Sequence, residues 1–289
     1  MGQLLQDLRY GLRMLAKSPG FTAIAILTLA LGIGANTAIF SVANALLIRP
    51  LPYPDPDHLV IVTNARGPNR RPFSYARAIF LQEHNRSFSG FAPFVAENFN
   101  LTGRGDPEQL PAVRVAWNFF EVLGVGPTLG RAFRPEEDRP GGHPAVLISN
   151  SLWKRRFGGN RGVLGQSITL DSVDTTIIGV MPVNFEFAPL GRSIDIWSTR
   201  TFEANNITPE QIHGGITYLI AVARVRPDVP LDQAQAEMRV LDSQYRREYP
   251  DLGDADPRLN ISLNQVQTLM VANVRTAVLV LFGAVGFVL

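Results

Sequence analysis

Cysteine is absent from the 289-residue chain. That excludes disulfides, thiolate metal ligands and thiol nucleophiles together. An exported compartment is compatible with the absence but does not follow from it. Lysine is nearly absent as well: Lys17 and Lys154 are the only two, and neither follows a glycine. A phosphate-binding loop of the form Gly-x-x-x-x-Gly-Lys-Ser/Thr is therefore excluded, and with it ATP hydrolysis by that motif. No Gly-x-Ser-x-Gly surrounds any serine, which removes the commonest serine-hydrolase pattern. The four histidines, His58, His84, His143 and His213, lie far apart, and none pairs at i, i+4 with another. Surface or loop positions suit them better than a metal site.

Charge is also sparse, at 18% of residues with a net value of +2, too little to imply nucleic-acid binding. Lys154-Arg155-Arg156, flanked by Trp153 and Phe157, reads as the solvated face of a helix. Glu136-Glu137-Asp138 reads as a solvated loop or helix start rather than a catalytic pair. Asp251, Asp254 and Asp256 surround Gly253 and Pro257 without calcium-loop spacing, so a polar loop is expected there. No catalytic residue, metal ligand or cofactor site is assigned, and the chain is not expected to be an enzyme.

What the chain has instead is apolar length. Residues 21–48 carry no charge. About 20 apolar residues cross a hydrocarbon core of roughly 30 Å, so this run spans with tilt or continues past the far side. Asn36 and Asn44 are expected to face protein or the interface. A signal peptide is the rival, with a basic start and Ala35-Asn36-Thr37-Ala38 as a loose cleavage site. Signal cores run about 7–15 residues, and apolar character here continues past Ala38, which favours an uncleaved anchor. Arg9, Arg13 and Lys17 outnumber Asp7 ahead of the run, which places the N-terminus in the cytoplasm and the rest outside. Arg49 alone opposes that bias. Leu4, Leu5, Leu8, Leu12 and Leu15 give residues 3–17 an amphipathic pattern, either along the inner membrane surface or as a cytoplasmic helical stub. Ser18-Pro19-Gly20 is expected to break the helix.

Inside the run, Ala30, Gly34 and Ala38 recur every four residues, and Thr37, Ser41 and Ala45 repeat the spacing on a neighbouring stripe. Small residues at that period let a second membrane helix approach closely. Residues 277–289 are again uncharged, but thirteen residues are too few to span. They read as the start of a second membrane helix, with a buried C-terminal helix as the alternative. The expected organisation is a cytoplasmic segment at 1–20, a transmembrane helix at 21–48, an extramembrane domain at 49–270 and a truncated second membrane helix at 271–289.

The domain between opens with a stiff proline-rich exit at 50–56. Strands are expected at 58–63, 91–97 and 109–116, with a helix at 74–85. A later set places strands at 217–226 and 260–267 around a helix at 232–248, whose Ala234, Met238, Leu241 and Tyr245 share one face. The middle holds strands at 145–148, 167–170 and 175–180 and a helix at 150–157. The expected fold is α+β: two strand–helix–strand units with a mixed α/β lobe inserted at about 120–215.

Several segments together carry a resemblance. They are Asp7-Leu8-Arg9-Tyr10-Gly11-Leu12-Arg13-Met14-Leu15, Lys17-Ser18-Pro19-Gly20-Phe21-Thr22, the run from Leu29 to Val42, and Arg49-Pro50-Leu51-Pro52-Tyr53-Pro54. Asn118-Phe119-Phe120, Leu123-Gly124-Val125, Leu129-Gly130-Arg131-Ala132-Phe133, Leu152-Trp153, Arg156-Phe157-Gly158-Gly159 and Ile178-Gly179-Val180-Met181-Pro182 continue it. The chain thereby resembles, over essentially its whole length, the MacB/FtsX-type permeases of ABC transporters, most like the large-permease branch common in acidobacteria. The resemblance implies an inner-membrane protein with a periplasmic core domain, working as a homodimer or paired permease with a cytoplasmic ABC ATPase. It also implies a periplasmic or outer-membrane partner and a role in export by mechanotransmission, in which ATP-driven motion of membrane helices is passed to the periplasmic domains. Membrane lipid is an expected partner; nucleic acid is not. The chain ends at Leu289, inside the expected second membrane helix, so a fragment is expected. The alternative is a membrane-anchored extracytoplasmic sensor or binding domain. An anchored enzyme ranks lower, because no catalytic constellation is visible.

Overall fold

The computed structural model describes residues 10, 13–43, 53–103, 106–183, 185–204 and 207–269. The chain divides into two units, one of residues 1–50 with 270–289 and one of residues 51–269.

In the first unit, residues 13–17 are helical and helix α1 covers Pro19–Ala43. The break between them is narrower than Ser18-Pro19-Gly20. Pro19 opens α1, where its missing N–H costs nothing, and Gly20 lies within the helix. At about 1.5 Å per residue, the 25 residues of α1 extend about 37 Å. Thr22, Thr28 and Thr37 each donate to the carbonyl one turn back, at 3.0, 2.9 and 2.8 Å, so these hydroxyls are satisfied without outside partners. Phe21, Ile24 and Leu27 are well exposed, near 70%. Among the described residues no helix is long and apolar enough to cross a membrane. The expected span, 21–48, runs past Ala43 into residues outside the described set, and several α1 side chains, including Ala25 and Leu29, also lie outside it. So do most of residues 3–17 and all of 271–289.

The second unit carries one mixed sheet. Its first half comprises β1 (Leu59–Arg66), the short strands β2 (Asn69–Arg71), which pairs with β1, and β3 (Phe73–Ser74), then α2 (Tyr75–His84), β4 (Phe88–Thr102) and β5 (Glu108–Val115). The middle adds α3 (Phe119–Leu123), β6 (Leu129–Gly130), β7 (Ala145–Ile148), α4 (Asn150–Phe157), β8 (Ser167–Leu170), β9 (Val173–Val180) and β10 (Ile196–Ser198). The chain closes through α5 (Pro209–His213), β11 (Thr217–Val225), α6 (Leu231–Glu248) and β12 (Asn260–Gln265). Along the sheet the order is β12-β1-β11-β4-β5-β10-β7-β9-β6. The two expected strand–helix–strand units, β1-α2-β4 and β11-α6-β12, do not lie side by side. They interleave, because β11 is hydrogen-bonded between β1 and β4 while β1 lies between β11 and β12. That is the split strand–helix–strand pattern of ferredoxin-like folds.

β4 is longer than the stretch 91–97 suggests, at 15 residues. Its first part pairs with β11 and its last two residues with β8, while β5 runs along most of it. The middle of the chain joins the same sheet where β10 pairs in parallel with β5. One core lies where α2 and α6 cover β1, β11 and β4, with Phe80, Leu81, Met238, Leu241 and Tyr245 packed on Val60, Val62 and Ala221. A second lies under α4, with Leu152 against Val146, Ile148 and Ile177. Ser74 and Ser149 cap α2 and α4 by accepting the N–H three residues on, at 3.1 and 3.0 Å, as their positions ahead of helical runs require.

Candidate functional site

Two charged residues sit where helical periodicity calls for apolar ones. Arg77 shares the buried stripe of α2 with Phe80 and Leu81, and Asp242 follows Met238 by four on α6. The fold turns them toward each other. Arg77 Nη1 donates to Asp242 Oδ1 at 2.8 Å and to Asn64 Oδ1 at 2.9 Å, and Nη2 donates to the Asp254 carbonyl at 2.5 Å. Arg77 Nε lies 3.4 Å from Asp254 Oδ2, an ion contact without hydrogen-bond geometry. The guanidinium also lies over the Tyr245 ring, 4.3 Å from its centroid. Arg246 pairs with the other oxygen of Asp242, so two positive and two negative groups balance. Burial pushes the Asp242 carboxyl up, while Arg77 and Arg246 pull it down.

Asp254 completes the cluster. Its Oδ2 accepts from the Ser74 N–H at 2.8 Å and its Oδ1 from the Tyr245 hydroxyl at 3.0 Å. Burial pushes the Tyr245 hydroxyl well above the usual phenol range. The expected polar loop at 251–256 is therefore only half right. Asp254 is turned inward and fully buried, whereas half-buried Asp256 is held at about 2 by its hydrogen bonds from Arg258.

This cluster fixes three chain segments at once: the start of α2, the end of α6 and the turn at Gly253–Ala255. Those segments present Tyr75, Tyr249 and Leu252 to one wall of a cleft of about 590 Å³. The other wall comes from Phe202, Ile212 and His213, and the Tyr75 and Phe202 rings meet edge to face at 6.1 Å. Phe202 is held from behind. Tyr218 Oη donates to the Thr201 carbonyl at 3.1 Å, and Asp138 accepts from the N–H groups of Trp117 and Arg200 at 3.0 and 2.7 Å. Burial raises the Asp138 carboxyl, opposed by those two N–H groups. The stretch 136–138 lies in a short 3-10 helix, Pro135–Asp138, so the helix-start alternative holds rather than the solvated loop, and it serves as an anchor; Glu137 is also buried, 2.6 Å from Arg131. The cleft volume is in the range of small-molecule sites, its walls are mostly apolar, and Glu203 and His213 line it together with Tyr75 and Tyr249.

The residues expected to pack membrane helices fall elsewhere. Ala30, Gly34 and Thr37 are exposed on α1, and space around Gly34 is open. Ala38 and Ser41 belong to α1, but their side chains lie outside the described residues, as does Ala45 altogether. His213 lines the cleft, and His84 stacks on Phe80 at 4.3 Å. Among the described residues no group of three or more acidic or histidine side chains could hold a metal ion. Arg155 is neutralised by Glu108 and Asp195, at 2.7 and 3.2 Å. The buried cluster was missed from sequence, yet it had a signal: opposite charges, each on the apolar stripe of its own helix.

Comparison with known proteins adds to this geometry. The family described as MacB-like periplasmic core domain matches residues 22–241, well over half of the chain. The macrolide export ATP-binding/permease protein MacB of Burkholderia thailandensis is 27% identical over 127 residues, covering 44% of this chain and 18% of the relative. The chain thus matches less than a fifth of that protein's length. The crystal structure of the periplasmic region of MacB from Actinobacillus actinomycetemcomitans superposes with a TM-score of 0.54 at 15% identity, over 75% of this chain and 92% of the other. The extracellular domain of the noncanonic ABC-type transporter YknZ from Gram-positive bacteria gives 0.50 at 10%, over 71% and 99%. At such identities these two structures speak for the fold alone. The chain belongs to the MacB-like periplasmic core domain family, the periplasmic module of MacB/FtsX-type ABC transporter permeases.

Proposed function

We propose that the chain is the permease component of an ABC-type export system, in which a separate cytoplasmic ATPase drives motion of the extracytoplasmic domain. The observation that carries this reading is the family match over 22–241, which begins inside the uncharged run and continues through the folded unit. The chain's own role is mechanical rather than catalytic.

In this reading, residues 21–48 cross the inner membrane with the N-terminus in the cytoplasm, and 271–289 begin the return. Support comes from α1 itself. Phe21, Ile24, Ile26, Leu27 and Ile33 are all well exposed, and such a surface is stable only against lipid or another apolar partner. The stripes Ala30/Gly34/Ala38 and Thr37/Ser41/Ala45 then face a second membrane helix, in a homodimer or a paired permease. The single mixed sheet supports force transmission, since a pull entering at β1 or β12 passes through backbone hydrogen bonds to β9. A periplasmic or outer-membrane partner takes up the motion.

Fractionation tests the anchor. Expressed in a bacterium, the full chain should stay with membranes after an alkaline carbonate wash, while a version starting at residue 51 behind a cleavable signal should be released with the periplasm. A full chain found in the wash would refute the reading.

A further inference from the structure

A second cavity, of about 250 Å³, opens on one face of the sheet and shares Glu203 with the lining of the apolar cleft. Strand alternation sets what reaches it. On β10, Ile196 and Ser198 share a face, and Ile196 belongs to the core under α4. Ser198 is paired in register with Arg114 on β5 and with Val146 on β7, so these three project to the same side. All three line the cavity. Ser198 is only 7% exposed, and its hydroxyl has no hydrogen-bond partner. A buried hydroxyl left unpaired is costly, and its position beside a guanidinium is that of a ligand contact.

The charges around it are mixed. Arg114 contacts Glu97 at 2.6 Å and lies over the Phe99 ring at 5.0 Å. Burial lowers the Arg114 pKa, opposed by Glu97 and Glu203. Arg200 pairs with Glu203 at 3.2 Å, and both line the cavity with Asp171. Asp171 and Ser172 occupy the β8–β9 turn with φ of 46° and 69°, the paired left-handed geometry of a tight hairpin. Asp171 is held there by the backbone and side-chain nitrogens of Asn100, at 3.0 and 2.7 Å. Phe99, Leu170 and Val173 supply apolar wall. Two carboxylates and two guanidiniums line the space, with Glu97 beside Arg114, which disfavours a simple anion, and the volume is too small for a drug-sized ligand.

We infer that this cavity binds a small zwitterion with an apolar tail, the chemistry of an aliphatic α-amino acid. Its carboxylate meets Arg114 and the Ser198 hydroxyl, its ammonium group meets Asp171 and Glu203, and its tail lies on Phe99, Leu170 and Val173. The inference needs neither the membrane anchor nor the ATPase partner.

The test is calorimetric titration of the full chain in detergent with L-leucine, isocaproate and isoamylamine. The last two lack the ammonium and the carboxylate respectively. L-leucine should bind, and each half-analogue should bind at least about tenfold more weakly, as expected when one charged contact is lost. Ser198→Ala should weaken L-leucine by a similar factor while leaving the unliganded melting temperature equal or higher. Asp171→Asn, which tolerates the left-handed turn, should weaken L-leucine and leave isocaproate unchanged. No heat with L-leucine, isocaproate binding as tightly as L-leucine, or full affinity in Ser198→Ala would each overturn the assignment.

Discussion

Arg77 and Asp242 meet at 2.8 Å with their side chains 0% and 5% exposed. The contact ties α2 to α6 across the first core and sets the start of α2 and the end of α6 beside the cleft. Breaking one side of a buried ion pair leaves the other charge stranded, which costs about 3–5 kcal/mol. Asp242→Ala should therefore lower unfolding stability by about that amount in urea titrations. A loss below about 1 kcal/mol, the usual worth of an exposed pair, would mean that water reaches the cluster.

Alkaline pH should weaken the fold through its tyrosines. Burial raises the hydroxyls of Tyr218 and Tyr245 above their ordinary value. A raised folded value means the native state prefers the neutral phenol. That stabilisation is complete below about pH 10, the ordinary tyrosine value, and is lost as pH rises from there toward the folded values. Tyr218→Phe should flatten this decline in unfolding free energy above pH 10; an unchanged slope would show that Tyr218 titrates normally.

Gly130 and Gly179 face each other in register where β6 joins β9. Gly130 has φ of +84°, and a Cβ there would strike the Ile178 carbonyl oxygen and lie 2.7 Å from Gly179 Cα. Gly130→Ala should therefore lose β6 from the sheet edge and destabilise by about 2 kcal/mol or more, through left-handed strain and the clash together. Hydrogen exchange at Arg131 N–H, which donates to Ile178 at 3.1 Å, should quicken. Unchanged exchange would refute the close approach.

The segments Leu129-Gly130-Arg131 and Ile178-Gly179-Val180 were legible in the sequence as family resemblance, and this strand-to-strand contact is their physical content. The helical stripe Ala234, Met238, Leu241 and Tyr245 was legible from period alone, because burial on one face leaves a repeating trace. Interleaving of β1, β11, β4 and β12 left no local trace, since β11 lies more than a hundred residues from its neighbours in the chain. Asp254 was read as part of a polar loop because its partners, Ser74 and Arg77, come from the other end of the domain.

Residues 51–269 form a compact unit with both cores inside it. Expressed alone, this unit should be monodisperse without detergent and unfold cooperatively. Aggregation in plain buffer would show that its stability depends on the remaining chain.

The most direct test of the central claim uses the absence of native cysteine. Ser151 is exposed at the start of α4, so Ser151→Cys provides a single thiol on the folded unit. In intact spheroplasts it should react with a membrane-impermeant maleimide as fully as after lysis. Labelling only after lysis would place the domain in the cytoplasm and contradict a periplasmic permease module.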